Sequence, residues 1–192
     1  MLKLMDLRKE RTLKLLREAA IELLHEKPFQ KITVSEICER AMVRRPTFYR
    51  HFQSKEDLLL YAIRMRRDSI QQSLLGDEAR TISVVDYALT MTRKFLQIAA
   101  EHRHVYRSHN LDESFASTLA LAADEIGHEF ALFLAEREGL KKPTYNQSFL
   151  AALYINGLFG ALRFWLTEDS DKTEKDFMTA FTPIVQRLFA SY

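Results

Sequence analysis

The sequence predicts an all-α protein built from two domains and about nine helices. Glycine and proline together number nine among 192 residues, so few positions favour turns. Hydrophobic residues make up 47% of the chain, which is enough to bury a core and argues against disorder. Apolar residues recur at helical spacing from the first helix onward, at Leu13, Leu16, Ala20, Leu23 and Leu24.

The first two helices are predicted from their apolar spacing and their end signals. The first runs over Arg11–Glu26, and Pro28 stops it. Thr33 and Glu36 have the spacing of a capping box, in which two otherwise unpaired N–H groups at a helix start are satisfied. The second helix is therefore predicted over Val34–Arg40.

A third, short helix follows a turn formed by Ala41-Met42-Val43. It is predicted over Arg45–Phe52, with Pro46 in its first turn, where a missing N–H costs nothing. Ser54 then caps a longer helix, with Asp57 at the third helical position.

The rest of the chain is predicted to be helical with short connections. Breaks are expected at Gly76–Arg80, at Gly139 and in the polar segment Glu168–Lys172, and Pro183 predicts a kink or break in the last helix. The domains are predicted as residues 1–55 and 56–192. The remaining predicted helices are Ser54–Leu75, Ile82–Glu101, Arg103–His109, Glu113–Glu138, Gln147–Thr167 and Thr173–Ala190.

Charge is unevenly distributed along the chain. Met1–Arg67 holds 16 Lys and Arg against 9 Asp and Glu, whereas the remaining residues hold 12 against 17. No acidic residue occurs between Ala41 and Lys55. A basic first third on an acidic body predicts a polyanionic partner for the first part alone.

Two short helices joined by a three-residue turn form a helix-turn-helix unit, whose second helix can enter the DNA major groove. Arginines there can read guanine through paired hydrogen bonds, and a threonine methyl can touch the thymine methyl. Tyr49, His51 and Lys55 suit phosphates, and Arg50 suits bases or phosphates. A solvated basic helix is the alternative interpretation. The predicted DNA-binding residues are Thr33, Arg44, Arg45, Pro46, Thr47, Tyr49, Arg50, His51 and Lys55.

The segment ITVSEICERAMVRRPTFYRHFQSKEDLLLYAI resembles the N-terminal DNA-binding region of the TetR family of regulators. The resemblance covers about residues 8–65. The segment YINGLFGALRFWLTED is weakly similar to the C-terminal regions of TetR-like proteins that include dihydroxyacetone-operon regulators. The family usually has glycine where this chain has Met42, and a left-handed methionine would cost about 1 kcal/mol. The turn is therefore expected to be either reshaped or slightly strained.

The resemblance implies a homodimer on a near-palindromic double-stranded DNA operator, a small-molecule effector and a repressor. No cofactor is expected. Aromatic walls with a few polar groups would suit a small apolar or aromatic effector, although each such residue is more often part of a core. The predicted effector-binding residues are Tyr87, Met91, Phe95, Tyr106, Phe130, Phe133, Tyr154, Asn156, Phe159 and Trp165.

The last two helices are predicted to form the dimer interface, because a helix that is apolar nearly all round must be buried on every side. A packed helix pair within one chain is the alternative. The predicted interface residues are Gly157, Gly160, Ala161, Phe177, Phe181, Ile184 and Leu188.

Other function classes fit the sequence less well. The chain shows no phosphate loop, nucleophile elbow or zinc-protease motif, so no enzyme is predicted. His102, His104 and His109 match no metal-ligand spacing, and no metal is expected. A single cysteine and an N-terminus without a signal peptide predict a cytoplasmic protein that does not enter the membrane. A protein co-regulator that produces activation is the main alternative to a small effector.

Overall fold

The computed structural model describes residues 2–74, 82–101, 103, 113–167 and 171–192. The described residues form α-helices and one short 3-10 turn, Phe29–Lys31, with no strand among them, so the predicted all-α class is confirmed. The helices are α1 (Leu2–Glu26), α2 (Val34–Arg40), α3 (Arg45–Tyr49), α4 (Lys55–Leu74), α5 (Val84–Glu101), α6 (Glu113–Arg137), α7 (Tyr145–Thr167) and α8 (Glu174–Leu188).

The main differences from the prediction are the start of α1, the end of α3 and the middle of α8, whereas the other described helix ends shift by at most two residues. α1 begins at Leu2 rather than Arg11, because the strong helix formers that precede Arg11 continue the helix without a regular apolar stripe. α3 ends at Tyr49, and the next residues form a turn. α8 continues through Pro183, so the predicted break is wrong. Pro183 is exposed, and the carbonyl that loses its helical partner lies on a surface open to water.

Some predictions fall outside the described residues. They concern the break at Gly76–Arg80, the helix at Arg103–His109 apart from Arg103 itself, and most of the turn at Glu168–Lys172.

The described residues fall into two compact units. Unit 1 lies within Met1–Arg66 and Ser108–Leu119, and unit 2 lies within Arg67–Arg107 and Ala120–Tyr192. Two separate domains, 1–55 and 56–192, stay a prediction.

Unit 1 is built around α1, α2 and α3, with α1 in contact with α2 and α2 in contact with α3. The apolar stripe of α1 supplies the centre of its core, and the two helices of the helix-turn-helix add large side chains. Burying each large apolar side chain contributes about 1.5–3 kcal/mol to the stability of the fold. The fully or nearly fully buried residues include Leu16, Leu23, Phe29, Ile37, Phe48 and Leu58.

Unit 2 is centred on α5, which packs against α7 and α8. Tyr154 of α7 lies in the middle of this core, and its hydroxyl donates a 2.7 Å hydrogen bond to the carbonyl of Ala88. The hydroxyl of Thr92 lies 3.0 Å from the Tyr154 hydroxyl oxygen. Both buried hydroxyl groups therefore have hydrogen-bond partners in a core from which water is excluded. Burial raises the pKa of Tyr154 well above its usual value.

Within the described residues, α7 is the one helix long and apolar enough to cross a membrane, with a mean hydropathy of 1.5 in its most apolar window. Its buried positions pack in the core of unit 2, and only 39% of that window is buried. A core helix passes the same test of length and composition, so this helix is weak support for a membrane span.

Candidate functional site

The turn between α2 and α3 is a helix C-cap of the Schellman type. The N–H of Val43 donates to the carbonyl of Cys38 at 2.9 Å, and the N–H of Met42 donates to the carbonyl of Glu39 at 3.1 Å. Met42 has a φ of 53°, so of the two alternatives, a reshaped or a strained turn, the structure has the strained one. This cap stops α2 and turns the chain so that α3 begins two residues later.

The start of α2 is closed by the predicted capping box. The N–H of Glu36 donates to Thr33 Oγ1, while the Thr33 N–H and hydroxyl both donate to Glu36 Oε2 at 2.9 Å. Hydrogen bonds from Lys27 and Thr33 lower the pKa of Glu36 to about 2. The exposed Thr33 hydroxyl is thus engaged in the capping box, and its contact with DNA stays a prediction.

Two aromatic side chains fix α3 in unit 1. Phe48 is fully buried and Phe52 nearly so, with their ring centroids 5.7 Å apart. Phe52 also lies 5.3 Å from the ring of Tyr61 on α4. The carbonyl of Arg44 accepts the first hydrogen bond of the helix, from Thr47 at 2.8 Å. These contacts hold one face of α3 inward and leave the other face free.

The free face of α3 carries the predicted base-reading groups. Arg44, Arg45, Pro46, Tyr49 and Arg50 are exposed, and Thr47 and His51 are half-buried. The side chain of Tyr49 is 57% exposed although its ring touches Phe48 edge-on.

The arginines of this face have no acidic partner among the described residues, unlike Lys14, Lys27 and Arg40 of the same unit. Among the described residues, no carboxylate lies within ion-pair distance of Arg44, Arg45 or Arg50. Arg40, by contrast, binds both carboxylate oxygens of Glu26, at 2.7 and 2.9 Å. An exposed guanidinium without a partner is free to bind an external anion or a guanine edge.

His51 lies at the end of the same surface. Burial is the main cause that lowers the pKa of His51, and the positive charges of Lys9 and Arg50 lower it further. The imidazole is therefore neutral at pH 7 and would bind a phosphate through its N–H rather than through a positive charge.

Lys55 is engaged within unit 1, so its binding to a phosphate stays a prediction that would require it to leave these partners. Its ammonium donates to the carbonyls of Phe29 at 2.6 Å, Ile32 at 3.0 Å and Gln30 at 3.2 Å. It also lies 4.5 Å from the centre of the Phe29 ring. An ammonium has three protons, and all three are used within unit 1.

The predicted effector-binding residues form several groups in unit 2. The rings of Tyr87 and Phe133 stack with centroids 4.1 Å apart, and Phe130 lies 5.0 Å from Tyr154. Buried Met91 belongs to the same core cluster. These side chains contact one another as a packed core would.

The remaining members lie elsewhere or outside the described residues. Phe95 and Phe159 form a separate pair 5.7 Å apart. Trp165 lies under the guanidinium of Arg103, at 4.9 Å. Asn156 is exposed and bonds to the carbonyl of Ala152 in its own helix, so it is not brought to the aromatic cluster. Tyr106 is outside the described residues.

The predicted interface residues divide between core and surface. Phe177 and Phe181 are 8% and 7% exposed in the core of their own unit, which corrects their prediction as interface residues. Leu188 and Ala161 are half-buried, whereas Gly157, Gly160 and Ile184 are exposed.

Sequence reasoning missed the exposed apolar residues on the same side of α7. Phe149, Leu153 and Phe164 are 56%, 51% and 65% exposed. Together with Gly157 and Gly160 they recur every three or four residues, and we call these five residues the outer stripe of α7. In a helix that is apolar on both faces, the sequence does not distinguish such a stripe. The periodicity does not show which face packs against other helices of the same chain and which face stays exposed.

Comparison with known proteins agrees with this geometry. Residues 16–62 match the bacterial regulatory proteins of the tetR family. Over 48 residues the chain is 40% identical to the HTH-type dhaKLM operon transcriptional activator DhaS of Lactococcus lactis subsp. lactis (strain IL1403). That match spans 25% of this chain and about a quarter, 26%, of the relative.

The fold of the whole chain has a counterpart among solved structures. The crystal structure of a TetR transcriptional regulator from Streptococcus agalactiae 2603V matches with a TM-score of 0.57 and 23% identity, over 96% of this chain and 99% of that one. At this identity the likeness is one of fold. The family match falls on the helix-turn-helix segment, in agreement with the DNA-binding unit predicted from the sequence. Residues 16–62 thus match the helix-turn-helix segment of the tetR family, and the whole chain shares its fold with a solved TetR regulator.

Proposed function

We propose that the protein is a repressor that binds a near-palindromic operator as a homodimer and responds to a small apolar or aromatic effector. The observation that carries the DNA-binding part is the free face of α3. Arg44, Arg45 and Arg50 are exposed there without acidic partners among the described residues, next to phenolic and imidazole groups that suit phosphates. The position of these arginines on the second helix of a helix-turn-helix is what distinguishes them from other unpaired cations of unit 1.

In this proposal the groups on α3 divide between bases and backbone. Arg45 lies in the first turn, where the recognition helix of a helix-turn-helix meets the base edges, and it would bind guanine through two parallel hydrogen bonds. Tyr49 and His51 would bind phosphates and set the register. The buried rings of Phe48 and Phe52 keep this face in a fixed position relative to α2.

The homodimer is supported by apolar surface that one chain leaves open. The outer stripe of α7 and Ile184 on α8, which is 57% exposed, are apolar where a lone chain would favour polar residues. Gly157 and Gly160 would let a second helix approach closely, since a Cβ built on either meets nothing within 4 Å. A two-fold axis through this surface would bring the same residues of both copies together.

A single pair of substitutions tests the dimer. Leu153→Glu places a charge in the outer stripe, and Leu121→Glu places one at a similarly exposed leucine on α6. We expect sedimentation to give a monomer for Leu153→Glu and a dimer for wild type and Leu121→Glu. A dimer that survives Leu153→Glu would rule out the stripe as the interface.

The effector part is supported by the aromatic cluster of unit 2. Tyr87, Phe130, Phe133 and Tyr154 are the kind of groups that line sites for apolar ligands. Their rings contact one another, so a ligand would have to separate them. Thermal shift with a panel of small aromatic compounds tests this. No stabilisation by any compound, together with recovery of a stoichiometric protein from the native host, would favour a co-regulator.

One observation favours that second candidate, an activator that works with a protein co-regulator. The relative from Lactococcus lactis is named a transcriptional activator. Its match covers only 25% of this chain, so it gives limited support for activation rather than repression. Transcription from a promoter that carries the selected site, measured with and without the protein, separates repression from activation.

The DNA-binding proposal is tested by in-vitro selection of DNA sites, followed by binding across a salt series. We expect an enriched inverted repeat. Arg45→Ala should weaken binding by roughly 10- to 100-fold and relax the preference at one position of each half-site. Arg93→Ala, which removes an exposed cation of α5, is the matched control and should bind as wild type does. Failure to enrich any sequence would refute the proposal.

A further inference from the structure

Methionine is unfavourable at position 42 for two reasons, its backbone conformation and the exposure of its side chain. Its backbone has a φ of 53°, a conformation that costs a residue with a Cβ free energy and suits glycine. Its side chain is 91% exposed, more than that of any other large hydrophobic residue among those described. Neither backbone geometry nor burial therefore accounts for methionine at this position.

The same chain closes another helix with the same motif and uses glycine there. At the end of α6 the N–H of Leu140 donates to the carbonyl of Ala135 at 2.9 Å, and that of Gly139 donates to Glu136 at 3.1 Å. Gly139 has a φ of 70°, and a Cβ built on it would meet nothing within 4 Å. The two turns differ in surroundings rather than in geometry.

The surroundings of Met42 are those of the candidate DNA surface. It lines a shallow depression of about 350 Å³ together with Val43, Arg44 and Arg45, while Ser35, Cys38 and Glu39 of α2 form the other side. Met42 therefore borders the same depression as Arg44 and Arg45 at the start of α3. An apolar group that is exposed beside unpaired arginines can contact whatever those arginines bind.

We propose that Met42 packs against thymine methyl groups in the major groove and sets the base preference there. This inference rests on the proposed DNA-binding function. The thymine methyl is the apolar feature that base pairs present in the major groove. Methionine is flexible and polarizable, so it can follow the groove surface from a turn. A local cost in stability at an exposed position is the pattern expected of a residue kept for binding.

The test uses the operator recovered by selection with this protein and versions in which each thymine is replaced by uracil, which lacks the methyl. For wild type, we expect uracil at one or two thymines to weaken binding about fourfold per half-site, the effect of one buried methyl. Met42→Gly should bind the thymine operator more weakly by a similar factor and should no longer distinguish uracil from thymine.

Met42→Ala is the matched variant, because it keeps a left-handed residue with a Cβ but removes the reach of the side chain. We expect Met42→Ala, like Met42→Gly, to bind the thymine and uracil operators equally. The loss of discrimination would then be due to the missing side chain and not to a change in the stability of the turn. An identical uracil profile for wild type and Met42→Gly would overturn the inference. Wild type that enriches no site at all would instead overturn the proposed function on which it rests.

Discussion

Replacing Lys55 with methionine separates a structural role of this side chain from a DNA-binding one. The substitution keeps a long apolar side chain and removes the ammonium, which lies 4.5 Å from the centre of the Phe29 ring. Three backbone carbonyls then lose their donor, those of Phe29, Gln30 and Ile32. The first and the last of these bonds are partly buried, whereas the bond to Gln30 is exposed and water can replace it.

The cost follows from those contacts. A hydrogen bond to a charged group contributes about 1.5–3 kcal/mol when it is buried. Two partly buried bonds at the low end of that range, with a small cation–π contribution, give about 3 kcal/mol for unit 1. In a chain of this size that corresponds to a fall in Tm of about 6–12 °C.

The assay is thermal unfolding followed by binding to the selected operator at several salt concentrations, at a temperature where the variant is folded. We expect Lys55→Met to lose stability while it keeps the salt slope and base preference of wild type. Arg44→Met is the control, since Arg44 is exposed without an acidic partner among the described residues, and it should show the reverse. An unchanged Tm with a salt slope reduced by about one per site would show that Lys55 binds phosphate after all.

Three further predictions concern stability. Met42→Gly should raise the free energy of unfolding by about 1 kcal/mol, and Gly139→Ala should lower it by a similar amount, both measured in urea. Because the pKa of Glu36 is lowered to about 2, its contribution is present above pH 4.5 and is lost as pH falls towards 2. The Tm difference between wild type and Glu36→Gln should therefore vanish over that window. Tyr154→Phe should cost about 1–2 kcal/mol, because a buried hydroxyl bonded at 2.7 Å is lost.

Local signals predicted the helix-turn-helix well. The capping box at Thr33 and Glu36 and the position of Pro46 act over one helical turn, so the sequence alone placed α2 at its observed bounds and α3 at its observed start. The role of Lys55 could not be predicted in this way. Its three acceptors are carbonyls that lie 23 to 26 residues earlier in the chain, and no spacing rule connects them.

In unit 2 the sequence predicted helices but not the faces they present. Phe177 and Phe181 look the same in the sequence as Phe149 and Phe164, since all are aromatic residues on amphipathic or apolar helices. Packing against α5 buries the first pair and leaves the second pair exposed. The choice depends on which helices of the same chain lie alongside, and periodicity does not contain that information.

The net charge of the N-terminal region overstates the number of cations that are free to bind DNA. The salt dependence of binding measures how many cations contact phosphates. Lys27, Arg40 and Lys55 are held by carboxylates or carbonyls within unit 1. The three free arginines of α3, counted in both copies of a dimer, give a slope of log K against log salt of about −5 if all neutralise phosphates. With the three held cations included, the slope would approach about −11. A value near −5 supports binding through the free face alone. A much steeper one would mean that the held cations leave their partners when DNA binds, or that exposed Arg8, Lys9 and Arg11 of α1 also reach the backbone.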